Sequence, residues 1–97
     1  MYARVVHVSL QAQSVTDATD YFGESVGPAL KVQKGFKNSV FLVNPTTSQC
    51  MMVTLWDTEE DRTASESNGF LQSVLSTMKP YFGGNPAIEY YDVLVQA

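Results

Sequence analysis

Phe36–Asn44, FKNSVFLVN, and Gln49–Trp56, QCMMVTLW, are the two stretches whose reading decides the fold. A strand covered on one side only alternates apolar and polar residues. Here Val40 and Leu42 point one way while Phe41 and Val43 point the other. Met51, Val53 and Leu55 likewise oppose Cys50, Met52, Thr54 and Trp56. Both faces of the sheet built from these strands require cover. A chain of 97 residues has enough helix for one face. The other is expected to meet a second copy, giving a homodimer joined through sheet faces.

The segments on either side complete the order of elements. Arg4–Leu10, RVVHVSL, is a β-branched run and the expected first strand, with Val6, Val8 and Leu10 on one face and Val5, His7 and Ser9 on the other. Ser14–Asp17, SVTD, has capping-box spacing, and Ala18, Tyr21, Phe22, Ser25, Val26 and Ala29 follow at helical intervals. Gly27-Pro28 is expected to kink or split that helix, because proline removes a backbone donor and crowds the preceding turn. Gly35 fits a C-terminal cap. Pro45–Ser48 is expected to turn a hairpin.

Asp57 or Thr58 is the expected cap of a second helix, with Glu59, Glu60 and Asp61 near its positive end. Ser67-Asn68-Gly69 interrupts this helix, and Phe70, Leu71, Val74, Leu75 and Met78 resume it. After the irregular PYFGGNP of Pro80–Pro86, Ala87–Val95 forms the last strand. The order β-α-β-β-α-β is the ferredoxin-like α+β arrangement, an antiparallel sheet with both helices on one side. Two such sheets face to face would form a closed or nearly closed barrel, a dimeric α+β barrel.

Composition narrows the function. The formal charge is −4, and the six Lys and Arg residues are scattered rather than concentrated, which argues against a nucleic-acid partner. Cys50 is alone, so no intrachain disulfide and no metal-ligand cluster is expected. No apolar run approaches the ~20 residues of a membrane span, and the N-terminus lacks a signal-peptide pattern. A cytoplasmic protein without a membrane partner is the expectation.

Several motifs resemble those of the dimeric α+β barrel superfamily, and within it the antibiotic biosynthesis monooxygenase-like domains. Val26-Gly27-Pro28-Ala29-Leu30 is similar to that family's first helix, Gly35-Phe36 to the start of its second strand, and Trp56-Asp57-Thr58-Glu59-Glu60 to its tryptophan-acid step into the second helix. The resemblance implies one such domain over residues 1–97 and one pocket per subunit between sheet and helices. In some members the activity is oxygenation of phenolic or quinol-like substrates without a cofactor. Trp56 matches the tryptophan that several members use. The asparagine that quinone-forming members place four residues earlier is Met52 here. Haem-degrading members carry a histidine where this chain has Glu66, so no haem ligand is matched and no cofactor is expected.

The candidate residues follow from their chemistry. His7 is the only side chain whose unperturbed pKa lies near neutrality, and it could take the proton of a bound phenol; a hydrogen-bonded or solvent-facing role is the alternative. Trp56 could stack on an aromatic ligand or pack in the core. Tyr21, Phe22 and Phe70 are candidate pocket residues or plain core. No phosphate loop, nucleophile elbow or metal-binding spacing is present. The leading expectation is a monooxygenase-like dimer with Trp56 positioning an aromatic ring and His7 as base. The alternative is a non-catalytic ligand-binding or structural dimer.

Overall fold

In the computed structural model, which describes Met1–Ala97, the β-branched run near the N-terminus becomes a central strand, β1 (Tyr2–Ser9). The chain continues through α1 (Val15–Tyr21), a π turn (Phe22–Val26) and α2 (Gly27–Lys31). Next come β2 (Phe36–Val43), β3 (Gln49–Trp56), α3 (Glu59–Ser67), α4 (Phe70–Met78) and β4 (Ala87–Asp92). The strands form one four-stranded sheet in the order β2-β3-β1-β4, with every pairing antiparallel. This is the ferredoxin-like topology expected from the order of elements. The expected barrel is not formed: the sheet is open, with β2 and β4 as free edges. Four strands are too few to close on themselves, since barrels filled by side chains need about eight.

Register sorts the side chains by face. Arg4, Val6 and Val8 lie on the helix side with Cys50, Met52, Thr54 and Trp56, while Ala3, Val5 and His7 share the open side with Met51, Val53 and Leu55. The core lies on the helix side, where Val6, Val8, Leu10, Met52 and Trp56 meet Phe22, Leu30, Leu71 and Met78. On the open side Val40 and Leu42 are 45% and 46% exposed. A β-bulge between Phe36 and Asn38 reverses the parity of β2, so that Phe36 faces Trp56 rather than the open side.

Local chemistry explains the boundaries. Thr58 caps α3, its Oγ accepting the Asp61 N–H at 3.1 Å. The capping box expected at Ser14 does not form, because Ala12–Ser14 is a 3-10 turn and the Ser14 side chain makes no capping bond. Pro28 acts through the π turn ahead of it: Gly27 N–H bonds Phe22 C=O, and the wider turn carries the helix past the proline. Gly35 lies beyond the end of α2 at φ 77°. A Cβ there would collide with the Asp61 side chain. Its carbonyl accepts Asp57 N–H at 2.8 Å, which joins the start of β2 to the end of β3. In the hairpin, Asn44 Oδ1 accepts the N–H groups of Thr46 and Thr47 at 2.9 and 3.1 Å. No helix is long and apolar enough to cross a membrane.

Cys50 is 1% exposed, and burial pushes its thiol up to about 11. The fold holds it in the neutral form between the ordinary thiol value and that figure, whereas the unfolded chain ionises there. Mass-spectrometric labelling with iodoacetamide at mildly alkaline pH is therefore expected to leave the native chain unmodified and to modify it rapidly once denatured.

Candidate functional site

Two neighbouring spaces share part of their lining. The larger is a groove of about 640 Å3 between α4 and β4, lined by Leu71, Leu75, Phe82 and Ile88, with Glu66 and Lys79 among its polar residues. The smaller is an inner cavity of about 20 Å3 between the helices and the sheet, lined by Arg4, Thr54, Phe22 and Phe70. Leu71 and Leu75 line both spaces and form the partition between them. They are one turn apart on α4, so both project from the same face of that helix.

The charged residue of the inner cavity is Arg4, 2% exposed. Its Nη1 donates to Ser65 Oγ at 2.6 Å, Glu66 Oε2 at 3.3 Å and the Arg62 carbonyl at 3.4 Å. Its Cζ lies 5.3 Å from the centroid of the Trp56 ring, a cation–π distance. Nε is buried without an acceptor. Burial lowers the Arg4 pKa, and Glu66 opposes that shift. Glu66 also accepts from Tyr90 Oη at 2.6 Å, and this bond raises the Tyr90 pKa because it favours the protonated phenol. Arg62 completes the cluster: it donates to the Ala3 carbonyl at 3.0 Å and lies 4.9 Å from the Tyr90 ring.

The residues singled out from sequence are distributed over both faces. Trp56 is on the helix side and fully buried; its Nε1 donates to Thr54 Oγ1 at 3.0 Å, and its ring meets Phe36 edge-on at 5.7 Å. His7 is on the open side, its Nε2 2.7 Å from Glu89 Oε1. The sheet separates these two side chains. Phe22 and Phe70 line the inner cavity, and Phe22 stacks on Phe41 at 4.9 Å. Tyr21 lies outside both spaces, against Tyr81. No group of three or more His, Cys, Asp or Glu side chains converges to hold a metal ion.

Arg4 and Glu66 were not among the residues expected at the site. The available signal was parity: Arg4 shares a strand face with Val6 and Val8, so a core-facing cation demanded partners. Its partners come from a helix about sixty residues away, and spacing along the chain does not reveal them.

Comparison with known proteins places this geometry. No family model matches the chain. Two uncharacterized proteins from two strains of Mycobacterium tuberculosis are each 25% identical over 93 residues, 96% of this chain and 41% of their own length. The chain thus spans less than half of the curated relatives it matches. Among solved structures, it superimposes on a candidate antibiotic biosynthesis monooxygenase from Nitrosomonas europaea at TM-score 0.78 and 12% identity, covering 98% of this chain and 100% of the other. A second such candidate, from Caulobacter crescentus, gives 0.79 at 15% identity over 97% and 90%. A MhuD variant with two manganese protoporphyrin IX molecules per active site gives 0.78 at 17% over 100% and 98%. The fold is therefore that of the antibiotic biosynthesis monooxygenase-like structures.

The Arg4–Ser65 bond is buried at both ends. Ser65→Ala is expected to destabilise the protein by about 1–3 kcal/mol, because it leaves a charged donor less well satisfied. A urea unfolding midpoint compared with that of exposed Ser67→Ala measures this.

Proposed function

We propose that this protein binds a small phenol- or quinol-like aromatic compound in the groove between α4 and β4 and oxygenates it without a cofactor. The observation that carries the reading is the groove itself: a space of about 640 Å3 with Leu71, Leu75, Phe82 and Ile88 among mainly polar lining residues, next to an inner cavity that holds a buried guanidinium. Ligand sites commonly combine an apolar wall with placed polar groups. The shared fold of candidate monooxygenases supports the choice of chemistry. In the balanced reaction a phenol and dioxygen give a quinone and water. One oxygen atom becomes the new carbonyl; the other leaves as water with one hydrogen from the ring carbon and one from the hydroxyl.

In this reading Phe22 and Phe70 close the inner end of the site and Trp56 holds Arg4 in place from below. His7 lies across the sheet from the groove, so proton removal by His7 requires a ligand on the open face instead. That separation favours a second reading, a binding protein that performs no oxygenation.

An oxygen electrode with a panel of quinols and naphthols, paired with a calorimetric titration of the same compounds, distinguishes the two. Saturable binding with oxygen uptake supports the enzyme, and binding without uptake supports the second reading. Absence of both sets the groove aside. His7→Ala is expected to leave turnover unchanged; its loss would move the chemistry to the open face.

We also propose that the chain pairs with a second copy through its open sheet face. The exposed Val40 and Leu42, with Tyr91 48% exposed on β4, support this. Light scattering is expected to give twice the monomer mass at micromolar concentration, and Leu42→Lys to return it to the monomer mass.

A further inference from the structure

Arg4 carries more donors than its partners use. Three contacts hold Nη1, one of them to the carboxylate of Glu66, yet Nε has no acceptor although it is buried. An unpartnered buried donor on a cation is costly, and a native structure retains one where a water or a ligand atom supplies the acceptor. The residue that bears it lines the inner cavity. The space there, about 20 Å3, suits one polar atom and not a ring, whereas the adjoining groove of about 640 Å3 accommodates an aromatic body. Leu71 and Leu75 line both spaces.

The charge of the cluster points the same way. Arg4 is faced by Glu66 and Arg62 from α3 and by Tyr90 from β4. From β3 and α4 the neighbouring residues of the cavity are Thr54, Leu71 and Leu75, none of them charged. Of the charged groups, only Arg4 lines the inner cavity; Glu66 lines the groove and Arg62 neither space, so the charge presented inside the cavity is the Arg4 guanidinium. Away from bulk water such a charge favours an anionic oxygen over a neutral one.

We propose that Arg4 is the recognition group for an ionised oxygen of the ligand. The aromatic ring lies in the groove, and its phenolate oxygen reaches between Leu71 and Leu75 to accept the free Nε–H. This rests on the reading of the groove as an aromatic-binding site and names its ligand class: acidic aromatics bound as anions. For oxygenation the consequence is direct, since a phenolate is more electron-rich than the phenol and gives up an electron to dioxygen more readily. Arg4 would then favour the reactive form by binding it, the phenolic proton passing to solvent water before the anion is bound.

The test uses 4-nitrophenol, whose phenolate absorbs visibly and which ionises near neutral pH, beside its methyl ether 4-nitroanisole, which cannot ionise. Each is titrated into the wild-type protein below the free ionisation point of the phenol. The expected result is growth of the phenolate band on binding, a fall of about one unit in the probe's apparent pKa, and at least about tenfold weaker binding of the ether. Equal binding of both probes, with the phenol remaining protonated, overturns the role of Arg4 and leaves the groove as a neutral aromatic site. Binding of neither overturns both readings. Arg4→Met, checked for folding by circular dichroism, removes both the charge and the Nε–H; it is expected to abolish the pKa shift. If this variant does not fold, the two probes on the wild-type protein decide the question alone.

Discussion

The buried guanidinium of Arg4 is the constraint around which the helix side of the molecule is arranged. It lies on the central strand, where all other inward residues of β1 beyond it are aliphatic. A cation there cannot reach water, so its partners must be brought to it. Ser65, Glu66 and the Arg62 carbonyl come from one turn of α3, which places that helix over the start of β1. Glu66 extends the connection to Tyr90 on β4, and Arg62 ties the same turn to Ala3. Trp56 provides the floor on which the guanidinium rests.

This arrangement has a consequence for α4. Gly69, at φ 86°, turns the chain sharply after α3, so the direction of α4 is set directly after the polar cluster has been built. Phe70, Leu71, Val74 and Leu75 then meet the sheet at helical spacing, and their positions decide how much space remains beside β4. The groove and the inner cavity are thus two sides of one leucine ridge. Packing in most of the core is dense; Trp56, Leu30 and Met78 are almost fully buried. The space near Arg4 is an exception at a place where polar desolvation is already high, a combination common at binding sites and rare in plain core.

Much of the fold was legible in local patterns. The β-branched run of β1, the Asn44-Pro45 turn, the Thr58 cap and the break at Gly69 each leave a short-range signature, because each is a bond or steric limit between residues a few positions apart. The element order then leads to the ferredoxin-like topology. A local expectation that did not hold is the capping box: Ser14 sits in a 3-10 turn instead. The bulge near Lys37, which reverses the parity of Phe36, left no local signal, since one extra residue in a strand shifts every side chain before it to the other face. Closure into a barrel was inferred from two apolar faces, but an apolar face states only that cover is needed and carries no information on the edges.

The candidate site divides in the same way. That an aromatic-rich layer lies between sheet and helices was readable from Phe22, Trp56 and Phe70, because burial periodicity is local and repeats with the backbone. Which face His7 occupies was not, since alternation along a strand assigns two faces without saying which one the helices cover. Nor could the pairing of Arg4 with Ser65 and Glu66 be read, because it depends on how α3 crosses β1 across a long loop of chain. The sequence by itself determined the elements, their order and the apolar stripes, all consequences of short-range sterics and hydrogen bonding. Only the tertiary structure decided that a cation on the first strand ends with an unpaired donor on a small inner cavity, because that donor's environment is the sum of contacts from β1, β3, α3 and α4 packed together.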